Sequence, residues 1–562
     1  MRRFARVGKV TTGLLLLALV SIARAVLAGS SPAPPDLLLL NGRIFTGQSA
    51  RPYVQALAIR GERVVATGDS ERIKALGVSR TRQIDLHGRT VIPGINDAHN
   101  HLGVDPPRLS ALKFTGADPT WAEIRAALAA AVAETSKDTF LVGVIGLTAF
   151  GDLQVDRDSL DKVAPNHPVF LVTFTGHGMI LNSAALTAAK IGENQQDPLG
   201  GRFERLPGGR LSGVAREYAA RLVDRRIMNF ASEDDAVSQL RQTLLAAARF
   251  GITSIQDMSD SMPPERAVAL LQKVPTPLRV RIIRMPVTSV AGRDTAEGWP
   301  APQVSNPLIK VSGTKWFTDG VVEGTFAPRQ DVAADAATVS RRITHLQLTF
   351  PREEYAAMLR ESLAHHEQLL LHVFGYPAAA VVLSTMKASG GRTVWAQKRV
   401  RFEHGDGMLP DLVPLAKELG IIVVQNPTHL GATDLIPGLR AAAEATKGQP
   451  LRSLVAAGIP VAIGSDGPMN PYLNIMLAAT HPDRPAEAIT REQAVVAYTL
   501  TSAYAEFEEK QKGSLEPGKL ADLAVLSQDI FTVALPELPK TESVLTLVGG
   551  KIVYDAKVVG TN

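Results

Sequence analysis

The chain has no cysteine among its 562 residues, which excludes disulfides, zinc knuckles and thiol nucleophiles outright. Any zinc site must therefore be built from histidine, carboxylate or modified lysine. A lipoprotein anchor is excluded for the same reason. Internal repeats and low-complexity tracts are also missing. The apolar run Leu14–Ala23, about ten residues, is too short to span a bilayer comfortably. It follows Arg2, Arg3, Arg6 and Lys9, and it precedes the small-residue sites Ala23-Arg-Ala25 and Val26-Leu-Ala28. That order reads as a secretory signal over residues 1–28, with an uncleaved anchor as the alternative. The five basic side chains of this segment, unmatched by any acid, account for the whole formal charge of +5. The remaining chain is near neutral, so its basic pI is no sign of a nucleic-acid partner. A periplasmic or secreted location is expected, with residues 29–35 as a short Gly/Ser/Pro linker.

What is present is ordinary globular material, 45% hydrophobic and 20% charged, enough for a large core. Residues 36–90 read as β-structure. Asn41-Gly42 stands between two apolar runs as a hairpin signal, and Gly61 repeats the device. The other end of the chain, 511–562, carries a matching pattern, Ala521–Leu526 and Val544–Tyr554 with Gly549-Gly550 as the turn. The two ends are expected to pair into one β-sandwich. Between them lie eight buried-strand candidates with helical patterns interleaved: 91–97, 252–257, 278–285, 308–317, 369–374, 399–404, 421–425 and 459–465. Eight such units predict an α/β fold, a (β/α)8 TIM barrel over 91–510. Residues 103–231 are too many for one connecting loop and form an insertion after strand 1, with its own helices and strands. An insertion at that end of a barrel usually becomes a lid or substrate pocket.

Candidate ligands fall in or just beyond the ends of several strands. His99 and His101 follow strand 1 two residues apart, so both imidazoles project from one face. Asp97 shares that face and could orient a ligand. Lys315 lies late in strand 4, His372 in strand 5, His404 at the end of strand 6 and Asp466 after strand 8. Each sits in or beside an apolar run, at the barrel end where such folds keep their chemistry. Taken singly, each has a structural reading: surface histidines after a turn, core histidines, a barrel lysine paired with Asp319. Lys310 is a rival to Lys315. Glu323, Gln425 and His429 are further pocket candidates or ordinary loop residues.

The set resembles the amidohydrolase superfamily, and within it the YtcJ-like amidohydrolases, relatives of N-substituted formamide deformylase. The matching motifs are Pro93-Gly94 running into His99-Asn-His101, His177 followed by Asn182-Ser-Ala-Ala-Leu186, and Lys315-Trp-Phe-Thr-Asp-Gly320. Arg401-Phe-Glu-His404, Gly464-Ser-Asp466 and Gly513-Ser-Leu-Glu-Pro-Gly-Lys-Leu-Ala-Asp522 also match. The resemblance implies two divalent metal ions, zinc by expectation: His99 and His101 with Asp466 on one, His372 and His404 on the other. Lys315 would bridge them as a carbamate, since an ammonium cannot bind metal; that reaction needs the neutral amine, which burial favours. A water between the ions would lose a proton and attack a carbonyl, Asp466 would carry that proton to the leaving amine, and His177 would touch substrate or oxyanion. Two departures bear on substrate. His372-Val-Phe-Gly-Tyr376 has a phenol where relatives commonly carry an acid, and the acid often found before Gly-His is missing from Thr175-Gly176-His177.

The function implied is a secreted metal-dependent hydrolase of a non-peptide C–N bond in an N-acyl or N-formyl amide. An ester or lactone hydrolase on the same site is the alternative. A deaminase generally manages without the strand-4 lysine, and a non-catalytic binding protein would not need the full ligand set. The expected partner is a small-molecule substrate, with no nucleic acid and no stable membrane insertion after signal cleavage; homo-oligomer formation is left open.

Overall fold

The computed structural model describes residues 33–275, 278–320, 348–434 and 448–559. The expected signal segment 1–28 and the pocket candidate Glu323 lie outside them. Eight strands form a single parallel sheet: β1 Ile95–Asn100, β2 Ile252–Ser259, β3 Arg279–Arg284, β4 Ile309–Phe317, β5 Leu369–Val373, β6 Arg401–His404, β7 Ile422–Gln425 and β8 Val461–Ile463. They pair in sequence order from β1 to β8. The seam between β8 and β1 is drawn together just past the end of β8. There the Asp466 amide donates to His99 O at 3.0 Å, and Ser465 donates from N and Oγ to the Asp97 carboxylate at 2.8 and 2.5 Å. Asp97 therefore fastens the barrel seam and makes no bond to an imidazole. Seven of the eight expected strands and the end of the first lie in this sheet.

The first expected strand, 91–97, is in fact two. Thr90–Pro93 belongs to the sandwich, where Ile92 pairs antiparallel with Ala524, and β1 begins after Gly94. A Cβ at Gly94 would lie 2.2 Å from Thr253 Oγ1 on β2, so only glycine lets the chain pass between the two units this closely. The sandwich has a four-stranded sheet (Arg63–Gly68, Ala56–Arg60, Leu37–Leu40, Arg82–Asp85) and a six-stranded one. The second runs Lys551–Asp555, Ser543–Val548, Leu523–Leu526, Thr90–Pro93, Arg43–Phe45, Tyr53–Val54, and so mixes both chain ends. Leu39, Leu57 and Ile84 from the first sheet share a core with Val91, Leu523 and Leu545 from the second.

The hairpins at Gly61 and at Gly549-Gly550 form as the turn residues indicate. The one expected at Asn41-Gly42 does not. Leu37–Leu40 and Arg43–Phe45 enter different sheets, and Asn41, left-handed at φ 57, makes a crossover between layers. A turn-forming pair sets the bend, while the partners of the flanking strands are decided by burial. The Gly513–Asp522 motif is the return path into the sandwich. Its Asp522 accepts from Arg279 Nε at 2.8 Å and from the Gly549 amide at 2.7 Å, tying β3 to the closing hairpin.

The insertion carries a six-stranded sheet in the order Gly201–Arg205, Leu211–Glu217, Gly178–Leu181, Val169–Thr173, Phe140–Ile145, Leu109–Ala111. Alternation along the strands divides its side chains cleanly. Leu141, Ile145, Val169, Leu171 and Ile180 pack with Ile124 and Leu128 of helix Trp121–Glu134. Phe140, Phe170, Met179 and Leu181 pack with Ala219 and Val223 of helix Tyr218–Ile227 on the other side. That second helix docks the insertion on the barrel through residues 218, 221 and 225, a single helical face. Tyr218 Oη accepts from the Phe317 amide at 3.1 Å, Arg221 pairs with Asp260 at 2.5 Å, and Arg225 donates to the Asp260 and Met285 carbonyls at 2.9 and 2.8 Å.

Candidate metal centre

Five histidines come together over the strand ends, and four of them have Nδ1 at hydrogen-bond distance from an acceptor. His99 Nδ1 lies 2.6 Å from Glu403 Oε2, and Glu403 is itself gripped by Arg401 through bonds of 2.7 and 3.0 Å. His372 Nδ1 lies 2.8 Å from Asp319, whose carboxylate also accepts from the Phe374 and Gly375 amides. His404 Nδ1 lies 2.9 Å from Asn426 Oδ1, with the other end of that amide donating to Gly464 O. His177, from the insertion, has Nδ1 2.6 Å from Glu217. His101 Nδ1 lies 3.2 Å from Asp260, close enough for an ion pair but not aligned as a hydrogen bond. An imidazole whose Nδ1–H is taken by an acceptor offers its Nε2 lone pair, the arrangement that suits a metal ligand.

The rings converge, with His404 Nδ1 also 3.8 Å from Asp466 Oδ2. His99 Nε2 is 2.9 Å from Lys315 Nζ, and His101 Nε2 is 3.3 Å from Asp466 Oδ1. The His372 and His404 rings are 4.6 Å apart, and the His99 and His404 rings 5.1 Å. Ligand atoms of His99, His404 and Asp466 all lie within 4.8 Å of one another, the one such triple among the described residues. It takes one histidine from each of the two expected pairs. His404 and Asp466 are both left-handed, at φ 72 and 39, a costly conformation held by the surrounding structure, as is common at functional sites.

Burial shapes the charges. It lowers the pKa of Lys315, which is 1% exposed, towards the neutral amine. Burial and then the nearby Lys315 bring His99 down to about 4. At His101 burial works the same way, but the Asp260 carboxylate overrides it and raises the ring to about 9. Burial would raise Asp466, yet the His99, His101 and His429 imidazoles hold it well below the usual carboxylate range. A convergent set of imidazole nitrogens with an ionised carboxylate is a donor set that fits divalent cations.

The six residues expected to hold metal lie in the cluster, His99, His101, Lys315, His372, His404 and Asp466, with His177 beside His372 at 4.8 Å between rings. Lys310 is outside it, half exposed and paired with Glu508 at 2.8 Å. Asp319 serves His372 rather than Lys315. His429 is a site residue, with Nε2 3.4 Å from Asp466 Oδ2 and its ring stacked on His404 at 5.3 Å. Gln425 is fully buried, and its side-chain amide has no hydrogen-bond partner among the described residues. Tyr376, the phenol in place of an acid, donates to Asp411 at 2.8 Å in an exposed pair. Sequence reasoning gives no role to Glu403, Arg401, Asp260, Asn426 or Glu217. For the first two a signal is available: two charged residues, alternate in a strand that is wholly buried, must satisfy each other or a functional group.

Fold and donor set together define a metal-dependent barrel hydrolase. An amidohydrolase family profile matches residues 82–554. The chain is 26% identical over 545 residues to N-substituted formamide deformylase of Arthrobacter pascens, covering 92% of this chain and 98% of that protein. It is 25% identical over 547 residues to Protein LONG AFTER FAR-RED 3 of Arabidopsis thaliana, covering 92% and 91%. An uncharacterized metal-dependent hydrolase from Pyrococcus horikoshii shares the fold with a TM-score of 0.65 at 19% identity, covering 89% of this chain and 99% of that one. The chain belongs to the amidohydrolase family, hydrolases that act on carbon–nitrogen bonds. The resemblance read from the motifs is thereby borne out.

Proposed function

We propose that the protein hydrolyses a non-peptide C–N bond of an N-acyl or N-formyl amide, in the periplasm or outside the cell. The observation that carries the chemistry is the convergence of the His99, His101 and His404 imidazoles on the single carboxylate of Asp466, at 3.7, 3.3 and 3.8 Å. The bond type is supported by the family and by the formamide deformylase among its relatives. Two divalent ions, zinc by expectation, would be held by His99, His101, His372, His404, Asp466 and Lys315, and would supply Lewis acidity and a more acidic water.

The remaining work falls to the chain. Asp466, ionised and flanked by His101 and His429, accepts the proton of the attacking water and delivers it to the leaving nitrogen. Lys315, kept towards its neutral form by burial, adds through Nζ to CO2, loses a proton and becomes a carbamate anion. Two oxygens then stand where one cation could not bind metal. His177 reaches over from the insertion to touch the substrate. Export through residues 1–28 delivers the protein to its site of action.

The test is a substrate panel of N-formyl amides, N-acyl amides, esters and lactones, run on chelated and on zinc-reloaded protein. Amide turnover that vanishes on chelation and returns with zinc is expected. Undiminished turnover after chelation, or hydrolysis confined to the esters and lactones, would contradict the reading.

A further inference from the structure

Glu217 closes the inserted strand Leu211–Glu217 in a backbone conformation that suits glycine. Its φ of 50 and ψ of −124 are those of the first central position of a type II′ turn, where a side chain is strained. A glutamate retained where glycine would relax the chain points to a use for the carboxylate. Its surroundings say which. Glu217 is 4% exposed, and its Oε2 lies 2.6 Å from His177 Nδ1. A Cβ on Gly320 would lie 2.6 Å from the other oxygen, so the barrel leaves a place free of side chains for this carboxylate. Gly320 directly follows Asp319, which holds His372 in the same manner. The pairs His177–Glu217 and His372–Asp319 thus stand side by side, their rings 4.8 Å apart and Phe317 edge-on to His177 at 4.9 Å. With the carboxylate as the acceptor of this bond, its hydrogen sits on Nδ1 of His177 and Nε2 faces away from Glu217.

We propose that Glu217 is a positioning residue that fixes His177 as a hydrogen-bond acceptor, and that His177 in this state reads an N–H on the leaving side of the substrate. This rests on the amide reading above and narrows it to amides that carry such a hydrogen. An ester or lactone has none there and leaves Nε2 unpaired, and a site built to hydrogen-bond an N–H discriminates strongly against the analogue lacking it.

Glu217→Gly removes the carboxylate and supplies the residue its backbone prefers, so the variant should fold cooperatively and keep its metal content. N-ethylformamide and ethyl formate, which differ by N–H against O, are the paired probes. The ratio of kcat/KM for the amide over the ester should fall by about 10²-fold in the variant, with the ester little changed. Equal losses on both, or none, would overturn the inference while leaving the amide reading standing. Absence of amide turnover in the unmutated protein would count against that reading instead, and a second measurement then decides the inference by itself. In 15N-histidine-labelled, zinc-loaded protein, with His177 assigned from His177→Asn, NMR should find the Nδ1–H tautomer, released to a mixture in Glu217→Gly. An Nε2–H tautomer in the unmutated protein would overturn the proposal whatever the substrate.

Discussion

Asp466 is held in a strained backbone conformation, ionised, and within 3.3–3.4 Å of two imidazoles. Asp466→Asn keeps the shape and an oxygen ligand but cannot take up a proton. Turnover should fall by ~10²–10⁴-fold with most of the metal retained, as metal analysis beside steady-state kinetics would record. A near-normal rate would remove Asp466 from the reaction. Asp466 and the histidines are legible in the sequence because a polar side chain in or beside an apolar strand is costly to bury without a bound partner. Their own partners are not legible. A shared strand face suggests that Asp97 orients a histidine. Two residues along a strand is ~6.6 Å, so a short aspartate one pleat below cannot follow the ring, and it meets Ser465 instead. Glu403, 304 positions away in the chain, approaches His99 from β6. Only the closed barrel puts those two at one height.

The strand elements are legible almost throughout, since eight apolar runs of strand length alternate with helical patterns. The exceptions are at glycines. Gly94 divides what reads as one strand between sandwich and barrel, and the sequence shows only a continuous apolar run. Gly94→Ala would place a methyl carbon against Thr253, 2.2 Å from its Oγ1, where the register of β1 and β2 shifts. The cost should be ~1–3 kcal/mol, read as a lower denaturation midpoint with an unchanged slope. An unchanged midpoint would mean that the junction is looser than described. Asn41-Gly42 fails as a hairpin for a related reason: a turn sequence specifies how the chain bends and not which sheet it enters.

At the scale of the molecule, the barrel, the two-ended sandwich and the position of the insertion can all be read from segment lengths and patterning. The insertion's docking cannot, because it depends on Tyr218, Arg221 and Arg225 meeting strand ends 35 to 99 residues away in the chain. Among the described residues no helix is long and apolar enough to cross a membrane. With the proposed export, N-terminal sequencing of protein from its native host should begin at Gly29, and an intact Met1 would contradict it.

The most direct test of the central claim is the metal content of Lys315→Ala against that of the unmutated chain, measured by elemental analysis after identical purification and zinc loading. Lys315 is buried against His99 Nε2 at 2.9 Å, in the middle of the cluster. If it becomes the shared anion, the unmutated chain should hold about two ions. The variant should hold one or fewer, amide hydrolysis should collapse with the loss, and a small carboxylic acid at high concentration should restore part of both. Two ions and full activity in Lys315→Ala would contradict the account.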